Sequence, residues 1–311
     1  GDGDVDVLSA SVYDDTVAWY ENDGSQSFTE RVITDAADSA RSVFAIDVDG
    51  DGDVDALSAS FNDDTVAWYE NDGSQSFTKR VITTLAENAV AAAGVDVDGD
   101  GDVDVVAASM LDDTVAWHAN DGSQSFTERV ITDAADSARS VFAIDVDGDG
   151  DVDALSASFN DDTVAWYEND GSQSFAERVI TTLADAALGV FAIDLDGDGD
   201  VDVLSADFDD PAVYWYENDG SQSFTDEIIA TNVYGAWAVF ATDVDGDGDV
   251  DAMVAANTAD TIAWYENDGT QSVTGVVALF SVRGPSRRHG RVVRERRVPV
   301  LHSARHHQLG G

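Results

Sequence analysis

Along residues 1–282, short stretches in which apolar and polar residues alternate follow one another, each closed by a cluster of Asp, Asn, Gly or Ser. Period-two alternation marks half-buried strands, and no amphipathic stretch of helix length recurs. In one representative unit, strands are predicted at Ser42 to Val48, Asp55 to Phe61, Thr65 to Glu70 and Phe77 to Thr83. An Asp/Gly loop, the turn Asn62-Asp63-Asp64 and the hairpin turn Asn71-Asp72-Gly73 separate them. Tight turns between successive strands favour an antiparallel meander over a solenoid of parallel coils or a helical repeat.

The same unit returns throughout. The string Asp-Val-Asp-Gly-Asp-Gly-Asp-Val-Asp, with Leu at its second place in one copy, begins at Asp47, Asp96, Asp145, Asp194 and Asp243, a spacing of 49. Gly1 to Asp6 is a truncated copy, and residues 28–77 and 126–175 are identical, so a two-repeat block reads as duplicated whole. Four strands per 49 residues fit the roughly 40–50 residues of a propeller blade. The predicted fold is all-β: a β-propeller of four-stranded antiparallel blades spanning 1–282. Its units are 1–46, 47–95, 96–144, 145–193, 194–242 and 243–282, six in view with the first lacking an inner strand. A parent ring of seven is expected.

The acidic loop carries the chemistry. Its carboxylates at places 1, 3, 5 and 9 can converge on one centre while glycines at places 4 and 6 let the backbone curl, and place 7 can offer its carbonyl. Hard oxygen donors point to Ca²⁺; Mg²⁺ prefers a tighter octahedron, and Zn²⁺ would call for His or Cys. In the second unit the side-chain ligands would be Asp47, Asp49, Asp51 and Asp55, with Asp53 turned outward. The corresponding sets are Asp96, Asp98, Asp100, Asp102 and Asp104; Asp145, Asp147, Asp149, Asp151 and Asp153; Asp194, Asp196, Asp198, Asp200 and Asp202; and Asp243, Asp245, Asp247, Asp249 and Asp251. Asp2, Asp4 and Asp6 form a partial site. Five complete loops imply five ions, and mutual repulsion of the carboxylates would couple metal binding to blade folding. The plainer reading is a solvated acidic turn.

With Val43-Phe44-Ala45-Ile46 before it and Ala56-Leu57-Ser58 after it, this loop resembles the FG-GAP/VCBS repeat, whose calcium loops are similar to those of the integrin α-chain propeller. The resemblance covers residues 1 to about 280. It implies Ca²⁺ in the hairpin between the first and second strands of each blade, in extracellular or cell-surface proteins that bind other molecules. The literal Phe-Gly and Gly-Ala-Pro signatures are absent, which places the chain nearer the VCBS branch and weakens transfer of integrin ligand specificity.

Charge narrows the partners. The 311 residues hold 63 acids and 15 Lys or Arg, a net of −48. So acidic a surface repels nucleic acid. No apolar run reaches the roughly 20 residues of a membrane span, and with no Cys, metal stands in for disulfides as the staple. Residues 283–311 differ: they carry eight Arg, four of the five His, and Glu295 as sole acid. Removing these leaves 62 acids and 7 bases over residues 1–282, a net of −55. Read one base out of register, GC-rich codons for Ala-Trp-Tyr-Glu-Asn-Asp-Gly-Ser give the sequence of residues 291–298. The tail is therefore expected to be a frame-shifted remnant of a further blade, and disordered. The start at Gly1, in mid-motif, reads as a fragment without its signal peptide.

Catalytic signals are weak. Trp19, Trp68, Trp117, Trp166, Trp215 and Trp264 recur once per unit and read as packing between blades, or else as a ring of sugar platforms. His118 replaces the usual Tyr and reads as a packing residue, and Asp63-Asp64 as a turn rather than a glycosidase pair. No nucleophile elbow or phosphate-cradling loop is present. The irregular segments joining one blade to the next, on the face opposite the acidic loops, hold the candidate partner contacts Tyr234, Trp237, Arg41 and Arg139. The expected function is non-catalytic, calcium-dependent adhesion or protein recognition at the cell surface or beyond. The alternative is a multivalent carbohydrate-binding module, such as the accessory domain of a larger secreted enzyme.

Overall fold

A computed structural model describes residues 4–281 except Gln26, 259–260 and 270–272; residues 273–281 are described by their backbone alone. The tail 283–311 lies outside the described residues, as does Asp2. Blade 1 has three strands, β1 (Val7–Ser11), β2 (Thr16–Asn22) and β3 (Phe28–Thr34). Blade 2 has four: β4 (Ala40–Ile46), β5 (Asp55–Ser60), β6 (Thr65–Asn71) and β7 (Phe77–Thr83). Blade 3 follows with β8 (Ala89–Val95), β9 (Asp104–Ser109), β10 (Thr114–Asn120) and β11 (Phe126–Thr132). Blade 4 comprises β12 (Ala138–Ile144), β13 (Asp153–Ser158), β14 (Thr163–Asn169) and β15 (Phe175–Thr181). Blade 5 comprises β16 (Ala187–Ile193), β17 (Asp202–Asp207), β18 (Ala212–Asn218) and β19 (Phe224–Thr231). Blade 6 comprises β20 (Ala236–Thr242), β21 (Asp251–Ala256), β22 (Thr261–Asn267) and β23 (Val273–Ser281).

Among the described residues every pairing is antiparallel between consecutive strands, giving the six-blade all-β propeller with three strands in blade 1 and four in each of the others. The first strands β4, β8, β12, β16 and β20 pack side by side around the axis. Small residues allow this approach. A Cβ on Gly189 would meet the Ala238 backbone at 3.1 Å. The innermost strand begins two residues earlier than the alternation predicts and stops at Ile46, because the Val48 amide is taken by the Asp55 carboxylate (2.9 Å) instead of a strand neighbour.

Successive residues of the third strand serve opposite neighbours, as period two requires. Val66 and Trp68 face blade 3 with Leu57 and Ala59, whereas Tyr69 and Ala56 face blade 1. Trp68, Trp117, Trp166 and Trp215 are buried in this way, so packing between blades is their role. The two end blades lack half of this cover. Val244 of blade 6 is 40% exposed where its counterparts Val48, Val97, Val146 and Leu195 are at most 5%. Val7 of blade 1 is 48% exposed where Val105 and Val203 are fully buried. Extensive contacts link each blade to the next in sequence, and none of comparable extent joins blade 6 to blade 1 among the described residues.

Candidate metal centre

Each acidic loop joins the inner strand to the second strand. Its first Asp folds the loop: Asp47 accepts hydrogen bonds from the amides of Gly50 (2.8 Å) and Gly52 (2.9 Å). Both glycines sit at positive φ, 74° and 97°, where an L side chain is strained. The last Asp anchors the loop to the blade. Buried Asp55 accepts from the Val48 amide (2.9 Å) through one oxygen and from the Asn71 amide (2.7 Å) through the other. Asn71 also donates from its side chain to the Val54 carbonyl (3.1 Å), tying the hairpin between the third and fourth strands onto the acidic loop.

This geometry brings three carboxylates of each loop together. Asp47, Asp49 and Asp55 place one oxygen each within 4.8 Å of the others, as do Asp96, Asp98 and Asp104; Asp145, Asp147 and Asp153; Asp194, Asp196 and Asp202; and Asp243, Asp245 and Asp251. Places 1, 3 and 9 thus converge. Place 5 stays outside the triad: the Asp51 carboxylate accepts the Asp53 amide (2.8 Å). Place 7 turns toward the neighbouring hairpin, where a Cβ on Gly73 would fall 2.5 Å from the Asp53 carboxylate. Asp100, Asp149, Asp198 and Asp247 repeat the first of these arrangements, and Asp102, Asp151, Asp200 and Asp249 the second. In blade 1, Asp6 keeps the anchoring role through the Asn22 amide (2.7 Å), and Asp4 lies against Gly24.

Crowding acidic groups in a half-buried loop disfavours their ionised form. Burial, opposed by the two amide hydrogen bonds and aided by Asp49 and Asp47, pushes Asp55 up to about 6. The same causes push Asp153 up to about 7, with Asp147 and Asp145 as its acidic neighbours. Burial also raises Asp202 to about 6 and raises Asp104, Asp49, Asp98, Asp147 and Asp196. Asp98 Oδ1 is shut off from solvent without a hydrogen-bond donor among the described residues. An oxygen-only donor set with an orphaned carboxylate oxygen, in a loop curled by two glycines, suits a hard divalent cation.

The sequence reading missed Asn71. Its counterparts Asn22, Asn120, Asn169, Asn218 and Asn267 bridge the same two segments in every blade. Their recurrence with the 49-residue period was the available signal. On the opposite face, the turns after the second strand meet the blade connections, as where Ala86 N–H donates to the Asp64 carbonyl (3.2 Å). Asp63 and Asp64 are turn residues there, with Asp64 at φ 56°. Arg41, Arg139 and Trp237 line a common cavity at the start of the inner strands, and Tyr234 stands exposed in the connection before β20. His118 is buried.

Among solved structures, a functionally unknown protein from Desulfotomaculum acetoxidans DSM 771 matches with a TM-score of 0.62 at 11% identity, over 88% of this chain and 79% of that one. A chain of a nidogen/laminin complex matches at 0.60 and 9% identity, over 88% and 92%. A catalytically inactive virginiamycin B lyase from Staphylococcus aureus, solved with quinupristin, matches at 0.60 and 11% identity, over 89% and 81%. At such identities the likeness is one of fold. No curated protein matches the sequence. A family model for the FG-GAP-like repeat matches residues 1–58, 47–107, 96–156, 145–205 and 194–254, each match running from one acidic loop through the strands that follow to the end of the next loop. With the propeller and its repeated loops in place, the chain belongs to the FG-GAP-like repeat family.

Proposed function

We propose that this chain is a calcium-stabilised, non-catalytic recognition propeller acting outside the cell or at its surface, in adhesion or protein recognition. The observation that carries the reading is the fivefold recurrence of an Asp triad whose third member is built into the blade by two backbone amides. Asp47, Asp49 and Asp55, and their counterparts, would hold Ca²⁺, which when bound supplies the positive charge the loop lacks. The protein's own part is to preset the donors: glycines curl the loop, Asp55 fixes its base, and Asn71 holds the adjacent hairpin. Small loops of this chemistry in extracellular modules bind in the ~10⁻⁴–10⁻³ M range, which extracellular calcium fills.

Repetition supports recognition over catalysis. The blades present near-copies of one another, and the described titratable groups that are strongly displaced from their usual ranges lie in the loops or within the packing between blades. Multivalent display is what such copies do well.

The test is thermal unfolding with Ca²⁺, Mg²⁺ or chelator, alongside equilibrium dialysis. Each filled site adds RT ln(1 + [L]/Kd), about 2.7 kcal/mol at a hundredfold excess over Kd. The expected result is a melting temperature that climbs with calcium and little with magnesium, with about five ions bound per chain. A melting curve indifferent to calcium and chelator would overturn the reading.

A further inference from the structure

The second residues of the inner strands are Arg41, Val90, Arg139, Leu188 and Trp237, and together they line a cavity of about 250 Å³ at the axial mouth opposite the acidic loops. Two features set this cavity apart. Its only charged lining groups are the two arginines, in a chain where acids outnumber bases by 63 to 15. Among the described residues, neither arginine has a carboxylate within ion-pair distance, although ion pairs hold Arg31, Arg80 and Arg178. In the connections before β4 and β12, the Asp38 carboxylate is held by the Asn62 amide group and that of Asp136 by Asn160, each at 2.9 Å.

The guanidinium groups are nevertheless fixed. Arg41 lies over the Phe61 ring, with its Cζ 4.3 Å from the centroid, and Arg139 over Phe159 at 4.8 Å. These cation–π contacts orient the planes without consuming their N–H donors. Both Nε atoms are shielded from solvent and have no acceptor among the described residues. Burial, and secondarily the like charge of Arg41, holds Arg139 below the usual arginine range, so the two cations share one neighbourhood. Ser42 and Ser140 also line the cavity. Each hydroxyl accepts a backbone amide, from Ala92 (3.2 Å) and Val190 (3.3 Å), which leaves its own proton to donate. The polar side chains of the lining therefore offer donors, and the Trp237 ring, 41% exposed, offers an apolar wall.

We propose that this axial cavity binds an acidic sugar: a ligand of about one sugar ring whose oxyanion is shared by Arg41 and Arg139 and whose ring lies against Trp237. A fork of preset guanidinium donors recognises carboxylate or phosphate oxygens. The cavity volume falls just under the ~300–1,000 Å³ of drug-sized ligand sites. The proposal rests on the recognition reading above and names its ligand chemistry.

The test is calorimetric titration of the full chain in calcium with glucuronate, glucose 1-phosphate and neutral glucose, supported by Trp fluorescence. Binding of one or both anions and not of glucose is expected, and the anion that binds identifies carboxylate or phosphate as the recognised group. Arg41→Gln and Arg139→Gln should each weaken binding about tenfold or more, the scale of one charge-assisted hydrogen bond. Trp237→Ala should weaken both sugar anions while leaving the response of the protein to calcium unchanged. Arg41→Lys and Arg139→Lys keep the charge and lose the fork, so partial binding by these variants separates recognition from a folding defect. Three outcomes would overturn the proposal: no anion binds, glucose binds as well as glucuronate, or the Gln variants, melting like the parent in calcium, bind unchanged. Chelator melting curves report on the calcium reading separately, so failure of one is distinguishable from failure of the other.

Discussion

His118 shows how one substitution adapts to its blade. Its counterparts Tyr167 and Tyr216 hydrogen-bond Ser156 (3.1 Å) and Ser205 (3.3 Å) on the adjacent strand. In blade 3 that serine is Ala107, and the imidazole is buried without it. Burial pulls His118 down to about 4 from its ordinary 6.5. A histidine whose folded value is depressed binds fewer protons folded than unfolded, so its contribution to stability is lost as pH falls from about 6.5 towards 4, at most about 3 kcal/mol. His118→Phe, with no proton to gain and no hydroxyl to satisfy, should narrow the acid-induced fall in melting temperature relative to the parent at each pH; parallel curves would refute this. Asp207 works in the other direction. Burial pushes it up to about 7, so the folded state holds its proton more tightly and stability declines as pH rises from about 4 to 7. Asp207→Asn should raise the melting temperature above neutral pH and change little in acid. Residue identities made both sites visible as departures from the repeat, but only the fold shows that they are buried.

At the scale of the element, the acidic loop divides labour among carboxylates that look equivalent in sequence. Alternation suggested four side-chain ligands, whereas the fold gathers three and turns the remaining two to the loop's own amide and the adjoining hairpin. That choice depends on how the hairpin at Asn71 docks, a contact between segments 16 residues apart that no local pattern encodes. By contrast, strand number and turn positions were legible, because each strand sits between residues chosen for tight turns. The strand ends shifted by no more than two residues, the inner strand stopping at Ile46 where the Asp55 carboxylate captures the Val48 amide. The loop predicts a change of sign. Without metal, Asp55→Asn removes a carboxylate whose ionisation is disfavoured, and stability near neutral pH should hold or rise by up to about 3 kcal/mol. In saturating calcium the same variant should lose roughly one site's worth of stabilisation, about 2.7 kcal/mol at a hundredfold excess over Kd. Urea unfolding in the two conditions measures both; equal shifts would mean the triad does not hold the ion.

At the scale of the whole molecule, the period announced the propeller, yet not the meeting of Arg41 and Arg139 at one mouth. They are two periods apart in sequence and become neighbours only because alternate inner strands converge on the axis. Nor could the period show that, among the described residues, the terminal blades each leave an apolar side uncovered, since their residues match those buried elsewhere. Those bare sides are the two halves of a joint the chain already makes between each pair of consecutive blades. A joint with unlike halves, left open at both ends, adds subunits in single file rather than in closed pairs. Sedimentation at rising concentration should reveal a ladder of ever larger species, lengthened by salt as the net negative charge is screened. Val244→Asp and Val7→Asp should each act as a chain stopper, and an equal mixture of the two should halt at the dimer. A monomer at every concentration would mean the open halves find cover within a single molecule.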